Sequence, residues 1–142
     1  MLFPLLLLLA IGALFQLDVK AQQAQPNAGG IPVHYISAIS TNATLVKNSI
    51  GNVYNIIAIN ATAAVVYLKL YDQATVPVCG TSVPVQTYPV PFGSASSGGG
   101  LAADFPVGMQ FYKGIGFCLT GGIADNDNSV ATTGVAIDFV YK

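Results

Sequence analysis

The amino-acid sequence predicts an all-β protein: an antiparallel two-sheet sandwich, with jelly roll as the leading topology. Three observations carry that expectation. From residue 33 onward, short runs rich in Val, Ile, Tyr and Phe alternate with clusters of Gly, Pro, Asn, Asp and Ser, the pattern of short strands joined by tight turns. Charge is scarce, at 8% of residues, which argues against long helices with charged outer faces. Only residues 60–66, through Ala61-Thr62-Ala63-Ala64, offer even one helical turn.

Taken in order, residues 33–39 read as a strand ended by Ser40-Thr41-Asn42, and residues 44–47 as a short strand ended by Asn48-Ser49. Gly51-Asn52 turns the chain into a strand over residues 53–59. Residues 65–71 give the clearest strand, β-branched and aromatic, with Lys69 expected to point outward. Residues 72–77 form an irregular link. Pro84, Pro89 and Pro91 lack the N–H a ladder needs, so residues 83–90 are an edge strand or an extended loop. Residues 93–100, Ser- and Gly-rich, read as a flexible loop; residues 101–105 and 109–111 follow as two short strands. Lys113-Gly114 marks a hairpin into residues 115–119, and an alternating strand over residues 135–141 closes the chain. No internal repeat is visible at solenoid periods.

Ahead of this domain, residues 1–21 read as a signal peptide: an apolar run from Met1 to Phe15, then Val19-Lys20-Ala21 as a small-residue cleavage site. A retained anchor would need about 20 apolar residues, and the run breaks at Gln16 and Asp18. Cleavage after Ala21 is expected, leaving 121 residues, one ordinary domain. Membrane contact would come only through residues 2–15, if the leader is kept. Residues 22–32 read as a flexible lead-in and residues 33–142 as the sandwich domain.

Composition excludes several function classes. The chain has no Arg, Glu or Trp, and its lysines are scattered, so no basic patch for nucleic acid can be built. Near-zero net charge on a chain this apolar favours association, and a homo-oligomer is expected. Cys79 and Cys118 are the only cysteines; they are either one disulfide, worth ~3–4 kcal/mol on the chain-entropy account, or two buried thiols.

Catalytic chemistry finds little to work with. His34 is the only histidine and lies within a strand; no serine occupies a Gly-x-Ser-x-Gly elbow; Gly98-Gly99-Gly100 lacks the Lys-Ser/Thr of a phosphate loop. No catalytic residues and no cofactor are assigned. Asp125 and Asp127, within Asp125-Asn126-Asp127-Asn128-Ser129, are a weak Ca²⁺ candidate, since alternating oxygen side chains suit that ion. The same residues favour metal-free turns through their own backbone bonds, and the turn is the preferred reading. Asn42-Ala43-Thr44 and Asn60-Ala61-Thr62 fit the N-glycosylation pattern. Tyrosines gathered on one exposed face would stack on sugars; core packing with hydroxyls reaching the surface is the plainer reading.

Several segments carry a resemblance: residues 41–47 (Thr-Asn-Ala-Thr-Leu-Val-Lys), residues 66–71 (Val-Tyr-Leu-Lys-Leu-Tyr), Phe105-Pro106-Val107-Gly108, Gly114-Ile115-Gly116-Phe117, residues 120–125 (Thr-Gly-Gly-Ile-Ala-Asp) and Val140-Tyr141-Lys142. Together, over most of residues 38–142, they resemble a widespread group of small tailed-phage virion proteins often encoded beside capsid genes. The resemblance implies a non-enzymatic capsid decoration or cement-like role, with copies of itself and neighbouring shell proteins as partners. The hydrophobic leader departs from that pattern, because such proteins assemble in the cytoplasm. It leaves open a membrane-associated virion part or a host-encoded secreted relative; the alternative is a secreted or cell-surface β-sandwich binding module of glycan or adhesin type, secreted or periplasmic if a host cleaves the leader.

Overall fold

The computed structural model describes residues 29–142. The leader at residues 1–21, its cleavage site and the lead-in up to residue 28 lie outside the described residues. Eight strands run in order: β1 (Ile31–Ile36), β2 (Thr44–Lys47), β3 (Gly51–Asn60), β4 (Val66–Asp72), β5 (Gln86–Val90), β6 (Gly99–Phe111), β7 (Ile115–Thr120) and β8 (Val135–Tyr141). They form two antiparallel four-stranded sheets, ordered β1-β8-β3-β6 and β2-β7-β4-β5. The all-β, two-sheet expectation is met. The pairing is nested: β4 with β5, β3 with β6, β2 with β7 and β1 with β8. The chain thus behaves as one long hairpin, closed between β4 and β5, whose arms are distributed over two sheets.

Alternation along each strand sends one side-chain set into the space between the sheets. There Val53 and Ile56 of β3 and Ile137 and Phe139 of β8 meet Leu68 and Leu70 of β4 and Ile115, Phe117 and Leu119 of β7, all fully buried. The Phe117 ring is central: Tyr35 meets it edge-on at 5.1 Å between centroids, and Phe139 lies at 5.3 Å. Burying each such side chain is worth roughly 1.5–3 kcal/mol.

Four local expectations change. β1 starts at Ile31, so the last two residues of the supposed lead-in belong to the sheet. Residues 99–111 form one strand rather than a loop and two pieces; its pairing with β3 shifts where Tyr54 alone faces residues 105–108. Gly108, at φ 79°, supplies the left-handed turn of that bulge. Residues 61–65 make no helical turn. The Asn60 side chain organises them instead, accepting from the Thr62 N–H and hydroxyl and donating to the carbonyls of Ala64 and Val90. The fourth change concerns Lys69.

Lys69 is fully buried rather than outward-pointing in solvent. Alternation does place it, with Tyr71, on the outer face of the β2-β7-β4-β5 sheet, but two loops cover that face. The β4–β5 loop lays buried Pro77 against Gly116, where a Cβ would stand only 3.1 Å from the Pro77 ring. The β7–β8 loop closes over Lys69 itself. This sheet is therefore packed on both sides.

Candidate functional site

Two places in the molecule combine unusual chemistry with position: the covered face around Lys69 and the uncovered face of the other sheet.

Around Lys69, the ammonium Nζ donates to the carbonyl oxygens of Ala124 at 2.5 Å and Asp127 at 3.2 Å. Burial lowers its pKa below 10.5, while the nearby carboxylates of Asp127 and Asp125 oppose that shift. The loop is shaped by Asp127, whose Oδ1 accepts from the Gly122 N–H, the Ser129 N–H and the Ser129 hydroxyl. The Ser129 hydroxyl contributes most to holding the Asp127 carboxyl below 3.8. Asp125 is exposed. The pair flagged as a Ca²⁺ candidate is thus brought into one loop, but its better oxygen serves the turn and the loop's inward carbonyls are met by the chain's own cation. Among the described residues, no group of three or more His, Cys, Asp or Glu side chains converges as a metal site.

Cys79 and Cys118 form a disulfide across a sequence separation of 39. Of the two readings left open by the sequence, the bonded one is realised. Cys118 stands on β7 opposite Lys69 of β4, on the covered face. Cys79 lies in a turn rather than a strand, so the bond fastens the β4–β5 loop onto the sheet. Asn126 and Asn128 of the β7–β8 loop abut Gly80, and the two loops form one cap. Beneath it the Tyr71 hydroxyl is buried without a hydrogen-bond partner among the described residues; burial, and then the Asp125 charge, raise its pKa above 10.0.

Among the described residues, nothing covers the outer face of the β1-β8-β3-β6 sheet. The register gives three rows across the four strands. The first is Ile36–Ala136–Ile59–Gly100, the second His34–Asp138–Ile57–Ala102, the third Pro32–Val140–Asn55–Asp104. Ile36, Ile57 and Ile59 are 56%, 41% and 49% exposed, which is more apolar surface than a solvated face needs. His34 Nδ1 contacts Asp138 Oδ1 at 2.6 Å, and Asn55 pairs with Asp104. Beside the His–Asp pair, Ile57 and Ala102 offer no nucleophile. Small residues on β6 leave an open groove of about 440 Å³ against Ile57 and Ile59.

No tyrosine stands in these rows. Tyr71 is buried, Tyr35, Tyr88 and Tyr141 pack against the core, and exposed Tyr112 follows the end of β6. The exposed face is aliphatic along its first row and mixed in the other two, where Ile57, Pro32 and Val140 share it with His34, Asp138, Asn55 and Asp104. Both glycosylation-pattern asparagines are buried: the Asn42 side chain receives the Ala38 N–H and the Tyr35 hydroxyl, and Asn60 holds its loop as described. Sequence reasoning missed the open face, although Ile56-Ile57-Ala58-Ile59, apolar at successive positions, already signalled a strand with two apolar sides.

The sheet edges are blunted. β1 carries Pro32, β5 carries Pro89, β2 has four residues with a register shift, and β6 bulges at Pro106 and Val107. These are devices that prevent strand addition. Among the described residues, no helix is long and apolar enough to cross a membrane. Fold and site define a disulfide-bonded β-sandwich with one capped and one open apolar face. No protein-family model, curated protein or solved structure matches the chain.

Proposed function

We propose that this protein is a non-enzymatic structural component of a virion, a capsid decoration or cement-like protein that stabilises a shell by docking. The observation that carries the reading is the open aliphatic face of the β1-β8-β3-β6 sheet on a nearly uncharged chain. Blunted edges favour face docking over strand addition. The nested strand order supports a jelly-roll topology, two Greek keys on two sheets. The segments resembling small tailed-phage virion proteins supply the virion context. The partners are copies of the chain and neighbouring shell proteins, without nucleic acid or cofactor. Mass spectrometry of purified particles tests it: the chain should be present in stoichiometric amount, and its gene should lie beside portal or major-capsid genes.

A second reading has its own observation. The Cys79–Cys118 disulfide belongs to an oxidising compartment, which together with the apolar leader suits a secreted or periplasmic binding module of glycan or adhesin type. The aliphatic character of the open face weighs against sugar stacking. Reproducible binding on a glycan array, lost on Tyr112→Ala, would favour this reading over the virion role.

A further inference from the structure

We infer that the open face of the β1-β8-β3-β6 sheet is a self-complementary docking surface whose occupant is a second copy of this chain, stacked face to face about a two-fold axis parallel to the strands. The inference rests on the assembly reading above and deepens it by naming the partner and the symmetry.

The side chains follow a set order across the rows. A two-fold axis along the strands, lying between β8 and β3, keeps each row in place and reverses it. In the first row large and small alternate: Ile36, Ala136, Ile59, Gly100. Reversal sets Ile36 of each copy over Gly100 of the other, and Ile59 over Ala136. The groove beside Gly100 and Ala102 is thereby filled by the β1 side chains of the second copy. In the second row, Ile57 comes over Asp138 and His34 over Ala102. Such matching of one patch to itself is what an isologous interface requires.

The charges are paired within each copy and the area suffices: the axis sets each Asp138 over Ile57 of the other copy, and its own His34, at 2.6 Å, offsets that carboxylate. The rows hold two carboxylates, Asp104 on the β6 edge and Asp138 on β8, and one imidazole, His34 on the β1 edge. The same axis lays each β1 edge over the other copy's β6 edge, so His34 approaches the strand bearing Asp104 rather than another histidine. Four strands about 4.8 Å apart and three rows about 7 Å apart give a face about 20 Å square. With its relief this offers on the order of 600 Å² per copy, about 1,200 Å² for the pair, where specific interfaces begin.

Sedimentation of the protein as purified from its producing cells, disulfide intact, tests the inference over about 1 to 200 µM. A reversible dimer is expected. Ile57→Asp should raise its dissociation constant at least about 30-fold. Ala136→Ile adds apolar surface, yet should weaken the dimer about 10-fold because it meets Ile59 of the second copy; tighter association would mean unspecific stickiness and would overturn the inference. Val83→Asp, at a position 78% exposed before β5 in the other sheet, should leave association unchanged. Hydroxyl-radical labelling of Ile57 and Ile59 distinguishes the other occupants. A monomer with this face protected would mean that the chain covers itself, and a monomer with it labelled would mean a different protein docks there; each overturns the inference. A dimer absent from particles would overturn the virion role alone, and a monomer present in particles the two-fold alone.

Discussion

Lys69 carries the most consequential side chain in the fold. Its ammonium donates to the inward carbonyls of the β7–β8 loop, those of Ala124 and Asp127. Lys69→Met leaves those acceptors without their donor and should cost about 1–3 kcal/mol, with faster amide exchange over residues 121–129. Its pH signature is distinct. Burial sets the folded pKa below 10.5, so between that value and 10.5 the unfolded chain binds more protons and stability rises with pH. Tyr71, raised above 10.0, acts oppositely, because the unfolded chain loses that proton first and stability falls from there upward. Denaturant midpoints followed through the alkaline range should show the rise in the wild type and only the fall in Lys69→Met. In acid, the depressed Asp127 carboxyl contributes stability above 3.8 that is lost as pH falls through its folded value. Ser129→Ala removes the main cause of that depression and should move the Asp127 titration upward by NMR.

At the scale of elements, the Cys79–Cys118 bond fastens the β4–β5 loop as a lid over Lys69 and Tyr71. Replacing both cysteines with Ala should lower stability by about 4 kcal/mol on the loop-entropy account, read from urea unfolding, and should expose Tyr71 to solvent. Sequence and structure agree closely on β2, β4, β7 and β8, whose β-branched runs sit between clear turn residues. They part where distant segments decide. The outward phase of Lys69 is legible in the alternation of β4, but its burial depends on how the β4–β5 loop folds back and on the β7–β8 loop, which follows only after three further strands. The bulge in β6 hides a single strand behind Pro106 and Gly108, since local signals there spell an interruption. The two glycosylation patterns are matched in sequence and contradicted by burial of Asn42 and Asn60. Protein folded and secreted from a glycosylating host should therefore carry unmodified asparagine at both positions by mass spectrometry.

For the whole molecule, the two sheets have opposite fates. One is covered on its outer side by the disulfide-tethered β4–β5 loop and by the β7–β8 loop; the other presents Ile36, Ile57 and Ile59 openly. Such asymmetry gives the molecule a single open side, and in the proposed assembly a second copy covers that side, so the chain enters a shell as a pair. Ile57 is 41% exposed and pairs with Asp138 on β8, so Ile57→Asp sets two carboxylates side by side and should lower the thermal midpoint by a few degrees while the protein stays folded. Incorporation into particles tests the central claim most directly. Particles produced in cells that supply either the wild-type chain or Ile57→Asp as the only copy are purified, and the chain is quantified in each. The account predicts wild-type chain at a fixed ratio to the major shell protein and at least a tenfold lower ratio for the folded variant, the order expected for a lost apolar anchor. Equal incorporation of both chains, or absence of both from the particles, would contradict it.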